Sequence, residues 1–587
     1  MKFTNEELVQ MSNAARCGAV HAMRIANSGH LGIALDAADI LTTVYANHLN
    51  IPDDKFVLSA GHGSALLYSV LKLRGYNLPP LESFRALGGL PGHPEYGIPG
   101  VAATTGPLGQ GVGNAVGLAF ATKIKNQSSF VYCLCSDGDL MEGVAQESIA
   151  VAGIYKLNNL IMLWDDNGIS MDGTALTDPD IPMRMRSAGW EMLKVDGQKF
   201  SEIDAAIEWA KKSAKPTFIQ CKTKIGLNCE LQGTSAAHGL DLSQEKLAAL
   251  ENKFKSTVGE SLWAKFPRIY ENTSPKECLY KDVIHNYSDA QVISTRELSG
   301  KYLEKLLPIE SNLIGGSADL SKSTETMVPG SHEITATDFN GNFIHFGVRE
   351  HSMAAIMNGL ALGGLRPYGG TFLVFIDYMR PAMRLSALMG LPVIYVLTHD
   401  SIALGKDGPT HQPIEQLASL RLMPNMNVFR PCNAAEVAAS WGIALAETTS
   451  PSCIVLSRQK FNQVAPPVNA EISRGAYIIH ENEKAKITLI ATGSEVPLAI
   501  EVANKIDARV VSMPCVEKFR LQDTEYKNKI LVGQVIALEA GATMGWYEFA
   551  SAVVGLDTFG ASGNGADVYK HFGFDADIIA KEIMKNF

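Results

Sequence analysis

Residues 131–143 read VYCLCSDGDLMEG, and residues 160–168 read LIMLWDDNG. In each, an apolar run with β-branched and aromatic residues ends in acids and glycine, the pattern of a buried strand leaving the core. Asn167 follows Asp137 by thirty residues. Two strand ends that carry oxygen-bearing side chains can converge on one hard divalent cation, and that cation is then available to hold a diphosphate. Taken alone, Asp-Gly and Asn-Gly are common turn dipeptides, and two ordinary strand-end turns are the simpler account.

Outward from this pair, short apolar runs alternate with longer amphipathic stretches up to about residue 235. The alternation predicts βα units around a parallel sheet, with strands at 130–135, 160–164 and 217–221 and glycine-rich loops at 59–64 and 104–113. From about 240 to 289 the chain turns richer in Lys and Glu, with a helix expected over 243–255, and reads as a connecting segment. A second α/β region is expected from about 292 to 463, with strands at 312–314, 392–397 and 452–456. A third begins near 473, with strands at 487–491 and 509–511. A chain of 587 residues is too long for one core, and three or four domains is the natural expectation.

Lys and Arg number 51 against 61 Asp and Glu, a net charge of −10 that argues against a nucleic-acid-binding surface but leaves room for local basic pockets. The nine cysteines have no framework spacing and read as reduced thiols of a cytoplasmic protein. Cys133 and Cys135 alternate faces on a strand and so do not jointly ligate a metal. The first twenty residues are helical in pattern and are not read as a signal peptide, and no apolar run approaches the ~20 residues that span a bilayer.

Six of the fourteen histidines, His30, His62, His93, His238, His399 and His411, sit in short loops beside glycine or other small residues, where backbone approaches a ligand closely. Neutral imidazoles suit proton shuttling and hydrogen bonds to sugar hydroxyls. His21, His48, His285, His332, His480 and His571 lack this setting and read as structural, and His345 and His351 as supporting the motif between them. In that motif, IHFGVREH at 344–351, an apolar run ends in Arg349-Glu350. Glu350 is either a helix-start acid favoured by the macrodipole or a carboxylate placed to bond a heterocyclic nitrogen. Phe372, Phe375 and Tyr378, at i, i+3 and i+6, are spaced for one helical face, which by itself favours core.

The loops SGHLG, VLSAGHGS, GHPEYG, TTGPLGQG, SDGDLMEG, DDNGIS, GGSADL, HFGVREH, TFLVFIDY, THDSIALGKDGPTHQPIEQLASLR and LSRQ follow one another in this order. On them the chain, from about residue 5 to its end, resembles the transketolase family. The resemblance implies three α/β domains with mostly parallel sheets, two of the thiamine diphosphate-binding fold plus a C-terminal α/β domain. Their expected limits are 1–239 (diphosphate-binding), a linker at 240–291, 292–465 (pyrimidine-binding) and 466–587. It implies thiamine diphosphate bound through one divalent cation, magnesium or calcium, at a homodimer interface. The implied reaction transfers a glycolaldehyde unit reversibly from a ketose phosphate such as xylulose 5-phosphate to an aldose phosphate such as ribose 5-phosphate, through the thiamine ylid, in the pentose phosphate pathway.

Residue by residue, the resemblance gives the cation to Asp137, Asn167 and the Ile169 carbonyl, and the diphosphate to His62, His238 and the Gly138 amide. Phe375, with Phe372 and Tyr378, stacks on the aminopyrimidine. Gly106 and Leu108 support the folded cofactor, Glu142 lies in its polar surroundings, and Glu350 faces the pyrimidine nitrogen. His30, His93, His238 and His411 recognise hydroxyls and move protons, with Asp407 on the acceptor's C2 hydroxyl. Arg296, Ser323, His399 and Arg458 form the phosphate site, arginine forks matching phosphate.

Several positions depart from the family's common pattern. Ser136 replaces the first glycine of Gly-Asp-Gly, which is expected to cost the loop backbone freedom. Leu31 replaces the proline after His30, the loop GTSAAHG at 233–239 lacks a further histidine, Glu297 stands where Lys often follows the arginine, and the linker is short. Competing readings are weaker: GHGS at 61–64 and the THDSIALGKDGPTHQ segment argue against a deoxyxylulose-phosphate synthase, and the retained phosphate residues against a dihydroxyacetone synthase. A catalytically silent relative would have lost Glu350, Asp137 or a loop histidine, and all are present.

Overall fold

The structure, a computed structural model, describes residues 2–176, 178, 180–255, 259–269 and 292–586. It divides into two compact units, Met1–Pro275 with Thr335–Asn340 and Ala355–Gly364, and Lys276–Ile334 with Gly341–Ala354 and Leu365–Phe587.

In the first unit, β1 Lys55–Leu58, β2 Val131–Ser136, β3 Leu160–Asp166, β4 Glu191–Asp196 and β5 Thr217–Lys222 form one parallel sheet in the order β1-β2-β3-β5-β4. Every residue of β2 and β3 is buried, which is why both read as continuous apolar runs. They are neighbours, with Ser136 opposite Asp165, so the two acidic strand ends lie side by side. Helix Asn5–Ala26, opened by a Thr4–Glu7 capping box, lines one face of the core.

The helix expected over 243–255 is found at Gln244–Lys255 and buries Leu247, Leu250 and Phe254 in that same core. Its Glu251 accepts from Arg24 Nε at 2.7 Å. This stretch of the expected linker is therefore packed against the first unit, while residues 270–291, His285 included, lie outside the described residues. Helix Gln110–Ile124 meets the stretch Ala355–Gly364 through glycines: a Cβ on Gly117 would stand 2.0 Å from the Ile356 carbonyl oxygen, and one on Gly359 2.2 Å from that of Asn114.

The second unit holds two large sheets, besides the antiparallel pairing of Val292–Ile293 with Phe461–Asn462. β6 Leu313–Ser317, β7 Phe343–His345, β8 Arg366–Phe372, β9 Ile394–Thr398, β10 Asn427–Phe429 and β11 Ser452–Leu456 are all parallel, in the order β7-β6-β8-β9-β11-β10. β12 Tyr477–His480, β13 Ile487–Ala491, β14 Arg509–Ser512, β15 Gln534–Leu538 and β16 Ala552–Val554 form the third sheet, β12-β14-β13-β15-β16, in which only β12 is antiparallel.

One expectation is corrected. Phe372, Phe375 and Tyr378 do not share a helix: Phe372 ends β8, Phe375 ends the short turn Leu373–Phe375, and Tyr378 lies in helix Ile376–Met389. Pairing of Phe372 with Thr398 of β9 carries the strand through the first aromatic, so sheet registry overrides the helical spacing.

Candidate active site

In the first unit the candidate residues gather at the carboxyl ends of the strands, where ligands of open α/β sheets bind. The loop after β1 carries His62 in the turn Gly61–Gly63. His30 directly precedes helix Leu31–Asp36, and His238 follows the turn Ser235–Ala237. With His93 these rings form one cluster: His30 lies 5.5 Å from His62, 5.8 Å from His93 and 5.6 Å from His238, and His62 stacks on His238 at 5.3 Å. Burial lowers the pKa of all four, His30 to about 4 with help from Arg85, and His62 to about 3 with help from its neighbouring rings. Four neutral imidazoles at physiological pH are a set of donors and acceptors, not an anion trap by charge.

Close backbone approach explains the glycines here. A Cβ on Gly61 would sit 2.6 Å from the Gly106 nitrogen, and Gly106, at φ +136°, faces the His93 ring. Leu108 covers Gly138, where a Cβ would meet its Cδ1 at 2.9 Å, and the exposed Glu142 lies against Gly109.

The strand ends of β2 and β3 carry more acid than base. Asp137 accepts from Trp164 Nε1 and from the Gly168 amide, both at 3.1 Å, which folds the turn bearing Asn167 and Ile169 against it. Asn167 Nδ2 points at Asp36 (3.2 Å) and Asp165 (3.3 Å), and its Oδ1 accepts from the Ile169 amide at 3.0 Å. Burial, then repulsion from Asp166, raises Asp137 to about 6. Asp165 rises to about 7 by burial and the neighbouring acids, and Asp36 well above its ordinary value by burial and Asp165. One buried oxygen of Asp36 has no hydrogen-bond partner. This surplus of desolvated carboxylates, beside the Asn167 amide, has the donor chemistry of a hard divalent cation.

Ser136 is the N-cap of helix Asp137–Met141, at φ −114° and ψ 174°. That is ordinary extended backbone, so the expected loss of loop freedom does not arise. Its amide and hydroxyl reach Asp139 Oδ2 at 2.9 and 3.0 Å, while Asp139 Oδ1 accepts from Ser59 Oγ (2.6 Å) and the Gly109 amide (2.7 Å). Asp139 thus ties the ends of β1 and β2 and the 104–113 loop to one carboxylate. The sequence reading passed over it, although Ser136 and Asp139 have the capping-box spacing. Arg85 was also missed: its guanidinium donates to Ser28 Oγ at 2.6 Å and contacts His30 Nδ1 at 3.3 Å, and no local pattern marks it.

In the second unit the candidates again stand at carboxyl ends. Glu350, buried at the head of helix Glu350–Leu362 after β7, accepts from Thr371 Oγ1 at 3.5 Å, one residue before Phe372. Phe372 stacks on Phe375 at 5.6 Å, Phe375 meets Tyr378 at 6.1 Å and His411 at 5.3 Å, and His399 lies 3.7 Å from Phe372. Burial, with Arg296 and Arg458 nearby, lowers His399 to about 3. Arg296 donates to the Ser323 carbonyl at 2.7 Å, and Arg458 to that of Leu404 at 3.4 Å. Asp407 lies exposed in the turn that leads through Gly408 to His411. Glu297, the acid after Arg296, closes a capping box on Ser294 and pairs with Lys460 at 3.2 Å.

Residues 8–305 match the family model described as transketolase, thiamine diphosphate binding domain; residues 291–463 match the transketolase pyrimidine binding domain, and residues 475–575 the transketolase-like C-terminal domain. A transketolase of Sinorhizobium medicae is 41% identical, covering 98% of this chain and 93% of its own. Among solved structures, transketolase from Leishmania mexicana superposes with a TM-score of 0.89 at 34% identity, covering 99% of this chain and 97% of its own. A Pichia stipitis transketolase in complex with sedoheptulose 7-phosphate gives 0.88 at 36% identity, with the same coverage. The chain belongs to the transketolase family of thiamine diphosphate-dependent transferases.

Proposed function

We propose that this enzyme transfers a glycolaldehyde unit from a ketose phosphate such as xylulose 5-phosphate to an aldose phosphate such as ribose 5-phosphate, in the pentose phosphate pathway. The observation that carries this reading is the joint presence of a neutral histidine cluster beside desolvated acids and, in the second unit, of two arginines around the His399 ring. The Pichia stipitis relative, whose structure holds sedoheptulose 7-phosphate, supports phosphorylated sugars as substrates.

Asp137, Asn167 and the Ile169 carbonyl would hold one magnesium or calcium ion, whose charge would offset the burial and crowding that raise the acids there. His62, His238 and the Gly138 amide donate to the diphosphate. Gly106 and Leu108 shape the cofactor cleft, with Glu142 on its polar side, and Phe372, Phe375 and Tyr378 flank the aminopyrimidine. Thiamine diphosphate, when bound, supplies the nucleophilic carbon that carries the two-carbon unit. Glu350 holds a proton at the pyrimidine ring nitrogen, its buried position shielding that proton from water. His30, His93, His238 and His411 donate to sugar oxygens and take protons from them, and Asp407 accepts from the acceptor's C2 hydroxyl. Arg296, Arg458, His399 and Ser323 bind the phosphate.

A homodimer belongs to the same reading. Tyr378, at 66% exposure, and Glu142 both border the cofactor in this account yet face outward in the single chain, as groups completed by a second copy do. A cytoplasmic setting is supported by free thiols at all eight described cysteines; no described helix is long and apolar enough to cross a membrane.

The test is to strip the enzyme of cofactor and titrate thiamine diphosphate and a divalent cation back with xylulose 5-phosphate and ribose 5-phosphate present. Sedoheptulose 7-phosphate should form only when both are added, and its absence would sink the reading. Glu350→Ala should still dimerise but should slow exchange of the bound thiazolium C2 proton by about 100-fold or more, the scale of a positioned acid–base group. Unchanged exchange would remove Glu350 from its assigned role.

A further inference from the structure

A heavily charged buried cluster lies outside the residues assigned so far, where two sheets of the second unit meet. Arg430 follows β10 and is wholly buried. Its Nε and Nη2 donate to one oxygen of Asp400 at 3.1 and 2.8 Å, and its Nη1 donates to Thr492 Oγ1 at 2.8 Å and to Glu495. Thr492 and Glu495 follow β13, and Glu539, bound through both oxygens to Arg421, follows β15. The carboxyl ends of the second and third sheets therefore converge on one guanidinium. Gly493 makes room for it: a Cβ there would stand 2.9 to 3.1 Å from three atoms of the Arg430 side chain.

Asp400 is the outer end of this cluster. It directly follows His399, whose backbone is left-handed at φ +63°, a conformation a residue with a Cβ keeps only where its neighbours hold it. Its other oxygen accepts from Gln459 Nε2 at 3.5 Å, and Gln459 directly follows Arg458. The next residue, Ser401, is held to the hydroxyl of Tyr569 at 3.0 Å, and Tyr569 in turn donates to Glu495 at 2.6 Å.

We propose that Asp400 and Arg430 are positioning residues for the phosphate-binding side chains His399 and Arg458, and that through them the third sheet sets the enzyme's preference for phosphorylated over unphosphorylated sugars. The proposal rests on the phosphate assignment made above. A carboxylate locked between two arginine N–H groups has no freedom to follow thermal motion of the turn, so the ring beside it and the arginine beyond Gln459 are fixed relative to each other. Only a substrate that bridges both gains from that fixing.

Asp400→Asn, Tyr569→Phe and Arg296→Gln test it in the dimeric holoenzyme, with ribose 5-phosphate and glycolaldehyde as paired acceptors. Calorimetric binding of ribose 5-phosphate to the holoenzyme, with no donor sugar present, gives a second readout. Loss of a charge-assisted contact at Asp400 should raise KM for ribose 5-phosphate about tenfold and weaken its binding in step, with kcat and the KM for glycolaldehyde kept within about twofold. Tyr569→Phe, which keeps the ring and removes one hydroxyl, should raise the same KM about threefold. Equal changes for both acceptors, or none in either variant, would overturn the proposal. Arg296→Gln separates the two levels. If it raises KM for ribose 5-phosphate while the other variants do not, only the positioning role fails; if it too leaves that KM unchanged, the phosphate assignment itself fails.

Discussion

Leu31 supplies a backbone N–H that donates to the Gly239 carbonyl at 2.9 Å, tying the His30 loop to the loop that carries His238. The proline of the family pattern has no such donor. Leu31→Pro should lower global stability by about 2–4 kcal/mol, because it empties part of the space a wholly buried leucine fills and removes a hydrogen-bonded N–H. It should loosen residues 233–239, read as faster deuterium uptake there, and unchanged uptake would contradict the tie. Asp137 yields a pH prediction of definite sign. Its pKa of about 6 means that below this pH a cation must displace a proton from it. Cation affinity, measured by calcium titration with cofactor present, should be flat above about pH 7.5 and should fall by up to about tenfold per unit as pH drops through 6. Affinity independent of pH would exclude Asp137 as a ligand.

At the scale of elements, the helix Gln110–Ile124 approaches the stretch Ala355–Gly364 more closely than any side chain at Gly117 allows. Gly117→Ala should therefore destabilise the protein by about 3 kcal/mol by overpacking, seen as a lower denaturation midpoint. A neutral result would mean that the two helices part freely. Contacts of this kind are illegible in sequence, since the glycine is set by its partner and not by its neighbours. The acidic ends of β2 and β3 were legible because buried parallel strands write continuous apolar runs, and the strands at Ser452–Leu456 and Ile487–Ala491 fall where they were expected. The strand Arg366–Phe372 was not, because Pro367, Gly369 and Gly370 interrupt its apolar pattern. Loop histidines could be picked out by their small neighbours. That four of them share one cluster and two lie with the second unit's aromatics is information only the sheet order supplies. Arg430 escaped for a related reason: it serves partners that are distant in sequence and has no unusual local setting, whereas Asp139 did carry a local sign in its capping-box spacing from Ser136.

At the scale of the molecule, three large, mostly parallel sheets carry the strand-borne candidates at their carboxyl ends, and the third meets the second through buried charge as well as through an apolar cluster of Ile402, Ile414, Leu556 and Phe574. A net charge of −10 is compatible with anionic substrates because the cations are local: Arg296 and Arg458 stand where burial also keeps His399 neutral. The reading as a whole stands on the movement of two carbons. With xylulose 5-phosphate carrying carbon-13 at C1 and C2 and unlabelled ribose 5-phosphate as acceptor, the sedoheptulose 7-phosphate formed should carry both labels at its own C1 and C2, and the glyceraldehyde 3-phosphate released should carry none. Label in the released triose phosphate, or an unlabelled seven-carbon product, would contradict it.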